Sequence, residues 1–221
     1  MRLLKLYGPR TLLRNYVTAQ TGFALGSGDA LRKTYKKNFT KAHALLARVV
    51  SGDPKALREL QALTDMDVFR THGSSVMDSV KRLLDNTPTT KMDKAIDKLG
   101  RGYAFVDFPS KVAAYWTAKD RGLSDAAAAE HVRKYYQHPD SVPDFVRDMA
   151  KVPVFSDYPG YFFDSIRIAG NQVSNAIKSA ASGDAVPLFG FMLSRVLSVL
   201  QTGGKAAKYA GLTAAWTAFH R

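Results

Sequence analysis

The side chains able to do chemistry in this chain are few, and their spacing speaks against most reaction types. Five histidines, His43, His72, His131, His138 and His220, include no pair at i,i+4 and no carboxylate at metal-ligand spacing, so no metal site is expected and they read as surface or loop residues. Neither a G-x-S-x-G nor an S-x-x-K arrangement occurs, and phosphate-cradling or dinucleotide-binding glycine patterns are missing too. Only two of the 19 acids are glutamates, Glu59 and Glu130, each expected on a helix surface beside basic neighbours rather than as a proton donor with a raised pKa. Many of the aspartates stand at helix starts or in turns (Asp29, Asp53, Asp107, Asp125, Asp140, Asp157, Asp184), where a short carboxylate accepts backbone N–H bonds. Asp93 and Asp97 share a helical face with Lys94 and Lys98 alternating, the pattern of a solvated charged surface. The turn from Asp107 through Pro109 to Ser110 and Lys111 is all that recommends an enzyme. No catalytic residue, metal or cofactor is assigned.

Binding chemistry is better represented. Arg32, Lys33, Lys36, Lys37 and Lys41 form a cationic run whose mobile charged groups could neutralise successive phosphates on one helix face. Five such contacts give a log–log salt slope of about −4.5 on duplex DNA, without sequence readout. A solvated face beside an acidic neighbouring subunit explains the run equally well. Tyr35 and Phe39 fall on the opposite, buried arc and are not available for base stacking. The whole chain supports an anionic partner: 221 residues carry 32 Lys+Arg against 19 Asp+Glu, a net charge of +13. Residues 1–50 hold ten bases and one acid, and residues 185–221 hold four bases and none, so the ends are basic and the middle is balanced.

The elements that must position these residues are helical. Apolar residues recur at helical spacing along most of the chain, and the one strand-like run, Tyr103 to Val106, is too short to carry a sheet. The expected fold is all-α, a bundle of about eight to ten helices with short loops in a single domain over 1–221, with a sub-boundary near 100–102 and basic N-terminal helices over 9–50. The first helix runs from Pro9 to Leu25 and stops at Gly26-Ser27-Gly28. Ser27 or Asp29 caps a second that reaches Val50 and buries Leu31, Tyr35, Phe39, Ala42, Leu46 and Val49. Asp53 caps a third helix with Pro54 in its first turn, burying Leu57, Leu60 and Leu63. Further segments are Ser75 to Leu84, Met92 to Leu99, Ser110 to Lys119 with Val112, Tyr115 and Trp116, and Ser124 to Tyr136. Pro143 to Ala150, Tyr161 to Ala181 after an aromatic turn flanked by Pro153 and Pro159, Val186 to Gln201, and Lys205 to Phe219 complete the series.

The absence of cysteine excludes disulfide frameworks, thiolate metal sites and cysteine nucleophiles. No uncharged apolar run of 18 residues occurs, and Gly8-Pro9 follows the first residues where a signal would place its apolar stretch, so a soluble chain is expected. The last two helices form an amphipathic exception, with Arg195 the one charge between Val186 and Leu200. Leu193, Leu197, Tyr209 and Trp216 are its candidate partner or membrane face, with core packing the simpler use of the same residues.

Three groups of residues carry a resemblance. They are Arg10-Thr11-Leu12-Leu13-Arg14-Asn15 leading to Phe23-Ala24-Leu25 and Gly28-Asp29, then Gly122 and Ser124 with Ala128, Ala129 and Val132, and then Val154-Phe155, Tyr158 and Tyr161-Phe162-Phe163 before Arg167 and Asn171. Over residues 10–200 this order resembles helical modules found late in giant internal proteins of tailed bacteriophages, the large polyvalent proteins and virion-packaged polymerase-like chains. The resemblance implies a non-enzymatic helical segment of capsid cargo, packaged in the virion interior with the genome and ejected into the host cytoplasm or cell envelope. Its implied partners are other virion proteins (portal, core or further copies), phage genomic DNA bound non-specifically, and an anionic membrane surface, within an oligomeric assembly. A free nucleic-acid-binding accessory protein and a membrane-associating helical protein are the competing functions.

Overall fold

The computed structural model describes residues 19–68, 108–137, 143 and 158–202. Every regular element among them is helical. A π-helical segment, Ala19–Leu25, and a 3-10 turn, Asp29–Leu31, precede α1 (Tyr35–Val50) and α2 (Pro54–Asp65). Then come α3 (residues 108–120), α4 (Asp125–Tyr135), α5 (Tyr158–Ala181) and α6 (Val186–Thr202). The chain is therefore all-α, and the described residues hold six α-helices where eight to ten were expected of the whole. Residues 9–18, Ser75 to Leu84, Met92 to Leu99, the boundary at 100–102, Tyr103 to Val106, Pro143 to Ala150 and Lys205 to Phe219 lie outside the described residues, apart from position 143 itself.

Local chemistry sets most of the helix ends. Asp53 caps α2 by accepting the Lys55 N–H at 2.8 Å, with Pro54 in the first turn where no intrahelical donor is needed. Its other carboxylate oxygen takes the Arg48 Nε–H at 2.7 Å, so one aspartate closes α1 and opens α2. The Ser124 hydroxyl accepts the Ala127 N–H at α4, and Asp184 accepts the Val186 N–H at α6.

The core gathers Ala42, Leu45, Leu46 and Val49 of α1, Ala56, Leu60 and Leu63 of α2, and Ala128, Ala129 and Val132 of α4 around α3. Residues 108–115, 117 and 118 of α3 are all buried, which makes it the central helix. Three alanines, Ala113, Ala114 and Ala118, keep it thin, so neighbours approach on every side. Ser110, Lys111 and Thr117 are enclosed with them. Asn38 ties α1 to it, donating to Thr117 Oγ1 at 3.2 Å and Asp120 Oδ2 at 2.8 Å.

Five sequence expectations need correction. The second helix does not run unbroken from Asp29: a 3-10 turn ends at Leu31, Arg32 is extended, and α1 starts at Tyr35 after Thr34, whose side chain makes no capping bond. Leu31 consequently lies off the α1 arc and is 42% exposed rather than buried. The residues leading to Gly26 form a π-helix, which widens the turn so that the Gly22 carbonyl accepts the Gln172 side-chain amide at 2.7 Å. The helix expected from Ser110 begins at residue 108. Finally, α5 starts at Tyr158, so Pro159 sits in its first turn, where its missing N–H costs nothing, instead of in a preceding loop.

Along the other side of the molecule, α5 and α6 form a hairpin through the 182–185 turn, and α6 crosses the π-helical segment. The crossing is close. A Cβ on Gly190 would lie 2.8 Å from Gly28 Cα and closer still to the Leu25 carbonyl, and one on Gly28 would lie 2.8 Å from Pro187 Cα. Gly28 also needs its φ of 86°, a left-handed conformation that other residues adopt at a cost.

Candidate functional site

The cationic run divides once folded. Lys33, Lys36, Lys37 and Lys41 are exposed, while Tyr35 and Asn38 between them face inward, so the lysines form a ridge that starts in the turn before α1 and continues along its outer side. The helix contains no acid to neutralise them. The Lys36 carbonyl accepts the Thr40 hydroxyl at 3.1 Å, but among the described residues the Lys33, Lys36 and Lys37 ammonium groups enter no hydrogen bond or ion pair. Lys41 rests its ammonium 4.1 Å from the centre of the Trp116 ring, a contact worth about 0.5–1 kcal/mol at an exposed site, which holds it without masking its charge. Arg32 departs from the group: on the extended residue before α1 it pairs with Asp184 at the start of α6. Burial pushes the Asp184 carboxyl up, but the hydrogen bonds from Arg32 and the Val186 N–H outweigh that and hold it below its usual range. Arg32 thus staples the α5/α6 hairpin to the N-terminal half. Tyr35 is buried and offers no ring to a base, while the partly buried Phe39 stacks on it at 5.9 Å.

A second group of polar side chains was not anticipated. Asp29, expected as an N-cap, is 1% exposed and accepts four hydrogen bonds from side chains. His131 Nε2 lies 2.9 Å from both of its oxygens; Ser27 donates at 2.8 Å and Tyr136 at 3.2 Å to Oδ2. Burial by itself pushes the Asp29 carboxyl up, yet the electrostatic attraction of His131 and the hydrogen bonds from His131, Ser27 and Tyr136 together hold it below the usual carboxylate range. Burial and the Asp29 charge push the Tyr136 hydroxyl well above its ordinary value, which keeps it a donor. With its acceptor positions filled from inside, Asp29 is a lock between the residue 26–31 turn and α4, not a base for a substrate. His131 is thereby no ordinary surface histidine: it stands between Ala128 and Tyr135 on the rim of the buried face of α4. That placement was readable from helical spacing, whereas its partner, 102 residues away, was not.

Asp125 also does more than start a helix, because its Oδ1 takes the Tyr115 hydroxyl at 2.6 Å and the Lys119 ammonium at 2.9 Å, docking α4 onto α3. Burial and that carboxylate push the Tyr115 hydroxyl up.

Arg167 and Asn171 acquire a role that explains their spacing. The Arg167 guanidinium donates to the Arg133, Lys134 and Tyr136 carbonyls at 2.9, 3.2 and 3.1 Å, and Asn171 to Lys134 at 3.0 Å. One turn apart on α5, they cap the C-terminus of α4, where carbonyls lack intrahelical donors and the helix dipole favours a cation. The buried Asp164 holds the guanidinium at 2.7 Å. Arg167→Lys is expected to cost about 2 kcal/mol, because an ammonium cannot span three carbonyls and a carboxylate together, and hydrogen exchange should quicken at the end of α4 before elsewhere.

The C-terminal candidate face is only partly within view. On α6, Leu193 is 43% exposed and Leu197 partly buried, while Tyr209 and Trp216 lie outside the described residues. Among the described residues the buried side of α6 is Pro187, Gly190 and Ser194, and Phe189, Met192 and Val196 are 65%, 57% and 55% exposed. None of the described helices is long and apolar enough to cross a membrane, and no cluster of three or more potential metal ligands occurs among the described residues.

Against this geometry, no protein-family model, curated protein or solved structure matches the chain.

Proposed function

We propose that the chain is a non-enzymatic, genome-proximal helical protein of the virion interior of a tailed phage, which contacts phosphates without reading sequence and assembles with other virion proteins. The observation that carries the nucleic-acid part is the row of exposed Lys36, Lys37 and Lys41 on α1, a helix free of acids, with exposed Lys33 in the turn before it. The resemblance of the Ser124 to Val132 and Tyr158 to Asn171 segments to phage internal proteins supports the virion setting.

With Arg32 held by Asp184, four contacts remain instead of five, and the expected log–log salt slope on duplex DNA is about −3.6. Filter binding across a salt series, on duplexes of unrelated sequence, measures it. A Lys36→Glu, Lys37→Glu variant should reduce the slope to about −1.8 or less, while Arg32→Ala should leave it unchanged. A slope unaffected by the double charge reversal removes α1 as the interface. Mass spectrometry of purified particles tests the setting separately: a chain made in infected cells but absent from particles overturns the virion assignment and leaves the DNA contact standing.

A further inference from the structure

Trp116 is the one residue between positions 108 and 118 of α3 that is not buried. A large ring is left open on an otherwise enclosed helix. Over it lies the Lys41 ammonium, 4.1 Å from the ring centre, which enters no ion pair among the described residues. Steps of four residues carry the lysine row about 40° around α1 and about 6 Å along it, so Lys37 and Lys41 lead toward the side that Asn38 ties to α3. The row therefore ends on an aromatic face.

The other rings beside the row are closed. Tyr35 is buried, and Phe39 is packed between it, at 5.9 Å, and the His43 ring, edge-on at 4.5 Å. At Trp116 the cover is the end of a flexible, exposed side chain, and a cation–π contact of that kind is weaker than the stacking of a base on an aromatic ring. A base can displace it. Charge decides which part of a polynucleotide arrives there. Asp120, one turn beyond Trp116 on α3, is exposed and accepts the Asn38 amide at 2.8 Å; its carboxylate repels a phosphate but tolerates an uncharged base. In a duplex the base faces are stacked on one another, so only an unpaired strand has one to offer. We propose that the α1 row and Trp116 together form a track for single-stranded nucleic acid, with phosphates on Lys33, Lys36, Lys37 and Lys41 and one unpaired base stacked on the Trp116 ring in place of the Lys41 ammonium. This rests on the phosphate contact proposed for α1 and specifies its ligand. Every base has a face to stack, so the track accepts any sequence. Stacking does not depend on counterion release, and single-strand binding therefore outlasts duplex binding as salt rises.

The chain has two tryptophans, so Trp216→Phe leaves Trp116 as the sole indole fluorophore of the full-length protein. A short oligothymidylate should quench its emission about twofold, whereas a long blunt duplex bound at low salt should leave it nearly unchanged. In filter binding, Trp116→Leu keeps an apolar side chain against the core and removes the ring, and it should lower the preference for oligothymidylate over duplex about tenfold. Far-ultraviolet dichroism checks its fold, and if that variant does not fold, quenching of the native ring decides. Emission that stays constant while oligothymidylate binds, or a preference that Trp116→Leu does not change, overturns the inference and leaves the phosphate contact on α1 in place. A protein that binds neither ligand overturns both.

Discussion

Asp29→Ala should be among the most damaging single substitutions in this protein, lowering the unfolding midpoint by on the order of 10 °C in a thermal scan followed by circular dichroism. The change removes the acceptor of His131, Ser27 and Tyr136 at a site with 1% exposure, and leaving buried donors unsatisfied costs about 1–3 kcal/mol each, about 3–5 kcal/mol together. Asp29→Asn keeps the shape and two of the hydrogen bonds, so it should fall between wild type and alanine. The same carboxylate predicts a pH dependence. Its folded pKa lies below the unfolded value, so its contribution is fully present above about pH 4 and is lost as pH falls through the folded value. Wild type should therefore lose stability below about pH 4 more steeply than Asp29→Asn. Parallel acid titrations of the two proteins would show that the lock contributes nothing.

The second large effect sets one substitution against itself at two places. Gly190→Ala and Gly170→Ala make the same change inside neighbouring helices, and in both the intrinsic helix preference favours alanine by about 1 kcal/mol. At Gly170 the added methyl meets nothing within 4 Å, so the variant should gain about 2–4 °C. At Gly190 it would meet the backbone of Leu25 and Gly28, which cannot rotate aside as a side chain can. Forcing the crossing of α6 over the π-helical segment apart should cost about 3 kcal/mol, or roughly 6–12 °C. Equal shifts at the two sites would mean that the crossing is looser than described.

Wherever a helix boundary depends on residues within a turn of one another, the sequence was a sufficient guide. Asp53 with Pro54, and Ser124 ahead of an alanine-rich stretch, fix their helices by bonds that span two or three residues. The lysine ridge was legible for the same reason, since helical spacing alone puts Lys33, Lys36, Lys37 and Lys41 away from Tyr35, Ala42 and Leu46. The same reasoning failed at Asp29, which also resembles a cap. Its carboxylate serves groups 102 and 107 residues away, and a local rule carries no information about such partners. Arg32 was counted with the ridge because it shares the run, but the bend before Tyr35 turns it toward Asp184.

The sequence by itself determined that the chain is helical, where several helices start and stop, and which side of α1 is cationic, because periodicity, caps and turns act over a few residues. Only the tertiary structure decided which helices are inside. The apolar α6 leaves Phe189, Met192 and Val196 exposed, whereas α3, which carries Ser110, Lys111 and Thr117, is buried almost all round. Hydropathy measures how strongly a helix favours the interior; its position depends on which neighbours fit against it. The alanines of α3 let α1, α2 and α4 close around it, while α6 packs on α5 and on the π-helical segment through its Pro187, Gly190 and Ser194 side alone, where Gly190 rests on Gly28.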